Sequence, residues 1–135
     1  MRGFSLLEVL AAFVILALVA TALFRLFSTS LGNASAADEW SRALLVAQTQ
    51  LDVAAAAQPL REFNERGTDG IGGIRWEVRV APYVVPGVDP DLERASEALA
   101  MRLYRISVDV AFAGGSGRER SFSIATIKMG PRNPS

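Results

Sequence analysis

Residues 4–24, FSLLEVLAAFVILALVATALF, form an apolar run in which Glu8 is the single charge. The run holds no glycine or proline and matches the about 20 residues that a helix needs to cross a bilayer. Beyond Arg25, good helix formers dominate as far as Ala57, and no proline occurs before Pro59. Trp40, Leu44, Ala47 and Leu51 recur at spacings of four, three and four, which predicts an amphipathic stripe for packing against the rest of the chain. Asp38, Glu39, Arg42 and Gln48 lie largely off it. A single helix over 4–57 would be roughly 80 Å long, too long to lie within so small a domain. Its first half belongs in lipid or among partner helices, its second half on the folded domain. Two helices hinged at Gly32-Asn33 are the alternative.

After Pro59 the period changes. Residues 61–73 are charged and glycine-rich and read as a loop. Residues 74–80 (IRWEVRV) alternate strictly, as do residues 104–112 (YRISVDVAF), and both predict half-buried strands. A third strand starts at Phe122 and reaches about Met129, with a slip of phase near 125–127 that reads as a bulge. Residues 113–117 (AGGSG) join the last two strands as a hairpin. Between the first two, Asp89-Pro90 opens a short helix running toward Ala100, with Asp89 as N-cap and Pro90 in the first turn. The expected fold is α+β, a long N-terminal helix laid across a small antiparallel sheet.

Composition narrows the chemistry. The 135 residues contain no cysteine and no histidine, which removes disulfides, thiolate metal sites, His-containing triads and the commonest general base. Lys128 is the single lysine, and no nucleophile motif surrounds it. Acidic and basic residues balance at 14 each, so no general pull toward nucleic acid or anionic lipid is expected. Asp89, Asp91 and Glu93 are the one candidate calcium cluster. They lack the turn glycine of a calcium loop and suit a helix cap better, so neither metal nor cofactor is expected. The expected protein is not an enzyme.

Three readings compete for the N-terminus. A cleaved secretory signal would end near Ala34-Ser35-Ala36, but the apolar run is longer than an ordinary h-region and carries a carboxylate near its start. A plain signal anchor leaves Glu8 without a role. In the third reading the chain is cut after Gly3, so that Phe4 gains a free α-amino group and Glu8 becomes the fifth residue. A carboxylate inside a membrane helix costs about 2.5–3.5 kcal/mol at the centre. An α-ammonium on the same chain or a neighbour would offset that cost in a low-dielectric bundle. A neighbour seated out of place would leave Glu8 unpaired, so the pair sets the register of packing.

Gly3-Phe4-Ser5-Leu6-Leu7-Glu8-Val9 resembles the class III signal of type IV pilins and type II secretion pseudopilins: a short basic leader ending in glycine, an aromatic residue, a Ser-Leu-Leu-Glu core and an apolar helix. The resemblance implies cleavage between Gly3 and Phe4 by a prepilin peptidase, N-methylation of Phe4 and an assembly role for Glu8. It also implies the pilin fold. The segments expected on that basis are a leader at 1–3, a transmembrane and assembly helix at 4–25 and the soluble half of the helix at 26–58. A sheet domain at 59–129, with a short helix near 90–100, and a tail at 130–135 complete the chain.

Three further stretches resemble the I-type minor pseudopilins of type II secretion, the general secretion pathway protein I family. They are 47–51 (AQTQL), 76–83 (WEVRVAPY) and 101–108 (MRLYRISV). That resemblance implies a non-catalytic subunit at the tip of a periplasmic pseudopilus, anchored in the bacterial inner membrane before assembly. Its implied partners are the J-type and K-type minor pseudopilins, the major pseudopilin and the prepilin peptidase. The small residues Ala34–Ala37, Ala43 and Ala54–Ala57 would let partner helices approach closely, or serve helix propensity alone. The alternative function is that of a type IV minor pilin or competence pseudopilin serving adhesion or DNA uptake. Arg75 and Arg79 share a strand face, but Glu77 between them interrupts any basic stripe.

Overall fold

The computed structural model describes residues 3–70, 73–115 and 117–133. Met1 and Arg2 of the expected leader, Ser116 of the expected hairpin, two residues of the expected loop (71–72) and two of the expected tail (134–135) lie outside them.

Helix α1 spans Leu6–Ala56 and continues through Gly32 and Asn33 as the single helix expected, not the hinged pair given as the alternative. The chain divides into two compact units inside this helix, Met1–Asp38 and Glu39–Ser135. In the first, every described residue from 3 to 35 is exposed. All the buried apolar residues belong to the second.

That second unit holds β1 (Phe63–Asp69), β2 (Ile74–Pro82), α2 (Pro90–Glu97), β3 (Met101–Ala113) and β4 (Glu119–Pro131). The strands form one antiparallel sheet in the order β1-β2-β3-β4. Its inner face presents Ile74, Val78 and Val80 from β2 and Tyr104, Ile106, Val108, Val110 and Phe112 from β3, packed in one core with Ala43, Ala47 and Ala54 of α1. The α+β architecture is therefore a helix over an antiparallel sheet, as the patterns predict.

Five expectations need correction. The stretch 61–73, expected to be a loop, contains β1. Its sequence FNERGTD lacks an alternating apolar face because an edge strand is mostly solvated, and its pairing is imposed by the ladder with β2. Gly67 lies opposite Trp76, and a Cβ there would fall 2.2 Å from the indole Cζ2, so bare backbone seats the ring. The bulge near 125–127 does not occur: β3 and β4 pair one to one from Met101↔Pro131 to Ala113↔Glu119. The apparent slip has another cause. Thr126 and Lys128 face inward opposite Ile106 and Tyr104, while Ile127 and Met129 face out. The strand also extends two residues into the expected tail. Finally, α2 stops at Glu97, and Ala98 caps it.

The fifth correction concerns Leu44 in the helix stripe. Ala47 is fully buried and Leu51 partly so, but Leu44 is 42% exposed and Trp40 39% exposed. The buried line is Ala43, Ala47 and Ala54, one residue round the helix from Leu44. Alanines face the sheet because small side chains let the two backbones approach, and the larger residues flank the seam.

Candidate functional site

Gly3, Phe4 and Ser5 precede α1 and are exposed, so the Gly3–Phe4 bond lies in non-helical, accessible chain. Ser5 sets the start of the helix. Its hydroxyl oxygen accepts a hydrogen bond from the Glu8 backbone N–H at 3.2 Å, and its carbonyl accepts from Val9 N at 3.2 Å. Ser5 is thus the N-cap, and Ser-x-x-Glu has the spacing of a capping box. Glu8 lies in the first turn, where a carboxylate complements the positive end of the helix dipole. This role of Ser5 was missed in the sequence, although a serine three residues before a glutamate at the mouth of an apolar run signals it.

Between Glu8 and Arg25 the helix is apolar but for Thr21. The hydroxyls of Thr21 and Thr29 donate to Ala17 O at 2.8 Å and to Arg25 O at 2.9 Å, one turn back. Such bonds leave little polar demand on the surroundings, as a lipid-facing helix requires. Phe4, Leu10, Phe13, Leu16 and Phe24 are all well exposed. This apolar surface has no cover within the first unit, and only lipid or other protein can supply one.

The second unit holds its part of α1 through three devices. Trp40 stacks edge-on against Phe112 with ring centroids 5.1 Å apart and meets Phe122 at 5.4 Å. Its partial exposure is that of a ring packed on one side. The Glu39 carboxylate accepts from the backbone N–H of Gly115 at 2.9 Å, and Cβ atoms at Gly114 and Gly115 would stand 3.1 and 3.2 Å from that carboxylate. The Lys128 ammonium donates to Ala55 O at the C-terminal end of the helix, where carbonyls lack helical partners and a cation is favoured. Glu39 and Lys128 were missed in the sequence because each acts across 73 or more residues of chain.

The calcium candidates have other roles. Asp89 caps α2, its carboxylate accepting from Asp91 N at 2.9 Å, and Asp91 pairs with Arg94 at 3.2 Å. On the outer face of the sheet Arg75 pairs with Glu119, while Glu77 accepts from Arg79 and from Asn64, both at 3.1 Å, with Arg66 at 3.7 Å. The Asn64 amide holds the Glu77 carboxyl below its ordinary pKa; desolvation opposes it, and the Arg66 and Arg79 guanidinium groups add individually smaller lowering effects. Arg66, Arg75 and Arg79 are therefore matched by carboxylates and form no basic stripe.

A family model of the prokaryotic N-terminal methylation motif matches residues 1–24. Curated relatives called type II secretion system protein I match a larger part of the chain. The protein from Xanthomonas campestris pv. campestris is 40% identical over 85 residues, 63% of this chain and 62% of its own length. That from Escherichia coli is 35% identical over 60% of this chain and 67% of its own length. That from Pseudomonas aeruginosa is 37% identical over 58% and 61%. The chain thus spans about three fifths to two thirds of the length of these relatives. No solved structure gives a significant match.

Proposed function

The chain belongs to the type II secretion system protein I family, and we propose that it acts as a minor pseudopilin, a non-catalytic subunit of the tip or priming complex of a secretion pseudopilus. One observation carries this reading: a capped, wholly exposed apolar helix with its only early charge at Glu8. In the proposed sequence of events a prepilin peptidase cuts the accessible Gly3–Phe4 bond and Phe4 is N-methylated. The helix resides in the inner membrane with the sheet domain in the periplasm, and is then withdrawn into a bundle. There it meets J-type and K-type minor pseudopilins and the major pseudopilin.

The physics of each step rests on named residues. Cleavage leaves Ser5 in place, so the cap survives and the new α-ammonium arises one residue before it. That ammonium sits unfavourably at the positive end of the helix dipole, and Glu8 in the first turn offsets it. In a bundle, Glu8 is matched only by a neighbour at the correct height, so the charge pair selects register while apolar burial supplies the attraction.

Expression with and without a prepilin peptidase, followed by intact mass and N-terminal peptide analysis, tests the reading. The expected mature chain begins at N-methylated Phe4 and appears only with the peptidase. Glu8→Val should be processed normally yet associate with the other pseudopilins at least about tenfold less, since losing one member of a buried charge pair costs about 2–5 kcal/mol. A chain left uncut, or cut near Ala36, would sink the proposal.

A further inference from the structure

The two outer edges of the sheet are built in opposite ways. β1 has 7 residues and carries Glu65, Arg66, Gly67 and Asp69, and charges on a short edge strand discourage another strand from adding. β4 has 13 residues, and among the described residues it pairs with β3 alone. Its centre, residues 121–127 (SFSIATI), contains no charge, proline or glycine. A segment of that composition with a row of open N–H and C=O groups is a template for strand addition. Such a row is matched by an extended backbone and by no other element, so the edge itself specifies the kind of occupant.

Two observations narrow the occupant further. Ile127 and Met129 are exposed on the outer face, and Met129 borders an apolar groove with Leu92, Leu99, Met101 and Leu103. A strand laid along β4 would set alternate side chains beside Ile127 and Met129. The uncharged segment is bounded directly by Arg120 on one side and Lys128 on the other, with Glu119, beyond Arg120, paired to Arg75. In the register that pairs 121–127 with itself, Arg120 stands opposite Lys128 twice, and like charges directly opposed are destabilising. A second copy is therefore disfavoured against a strand flanked by carboxylates.

We propose that the free edge of β4 is the docking site for an extended strand of a partner protein, apolar at alternate positions and acidic at its ends. The proposal rests on the assembly function above, the partner being another subunit of the same pseudopilus. Hydrogen exchange at individual amides tests it on the full processed chain in detergent, alone and assembled with the co-expressed pseudopilin subunits. Open amides of β4 should slow by about tenfold or more on assembly, while those of β1 stay unchanged. Ala125→Lys, on the outer face of β4, should abolish that slowing and lower recovery of the assembly about tenfold, as lysine does at natural edges. Thr68→Lys on β1 should do neither. Assembly that leaves β4 open overturns the docking site and leaves the proposed function standing; failure to associate with any subunit overturns both. Slowing of β4 when the chain alone is concentrated overturns the partner strand in favour of self-pairing. The unaltered chain gives the deciding exchange pattern even where a lysine variant fails to fold.

Discussion

Gly130 shows how much one missing methyl group decides in this sheet. A Cβ there would stand 2.9 Å from Leu60 Cβ and 3.0 Å from Tyr104 Cε2. Tyr104 cannot give way easily, being 1% exposed with its hydroxyl donating to Pro131 O at 2.7 Å. Gly130→Ala should therefore lose about 1–3 kcal/mol, the usual range for overpacking, measured by chemical denaturation of the folded unit. Glu77 gives a different kind of prediction. Its folded pKa is lowered, so its contribution to stability is full above the ordinary glutamate value of about 4.3. It is lost as pH falls through the lower folded value. NMR titration should find its midpoint below the ordinary one, and Asn64→Ala should move it upward. At this scale the N-terminal motif was legible, because Gly3, Phe4 and Glu8 are read by spacing alone and a model of the methylation motif matches residues 1–24. Gly130 was not, since its reason lies on a neighbouring strand and on Leu60.

Among the elements, those with a regular period were readable and those shaped by their neighbours were not. β2 and β3 alternate strictly and lie where the pattern places them, each extended by a few residues. β1 has no such pattern, since its Glu65 and Arg66 serve an exposed edge. The stripe of α1 erred at Leu44, because leucine outranks the neighbouring Ala43 on any hydrophobic scale, yet the close approach of helix and sheet selects the smaller side chain. This difference is measurable. Ala47→Leu, at 0% exposure, should destabilise the folded unit by about 1–3 kcal/mol or more. Leu44→Ala should cost well under that, because its side chain is 42% exposed. Equal losses in thermal or denaturant unfolding would place Leu44 in the core after all.

Across the whole molecule, the fully buried residues among those described all lie on one side of the division at Asp38. Every core residue from Ala43 to Phe112 falls in the second unit, so that unit carries what it needs to fold. A chain beginning at Ala36 should be soluble without detergent and unfold in one cooperative thermal transition; a broad, non-cooperative melt would show that the remaining helix is required. The helix of this unit is fastened near both ends of its contact with β4. Glu39 holds the Gly115 amide ahead of that strand, and Lys128 holds the Ala55 carbonyl late in it. About 24 Å of helix separates Glu39 from Ala55, comparable with about 30 Å of strand between Glu119 and Lys128, so helix and strand run alongside one another. Tension applied along α1 then loads both ties and the alanine seam together, in shear, instead of peeling them open in turn. The helix works as a drawbar, by which the domain behind it is towed with its fold intact.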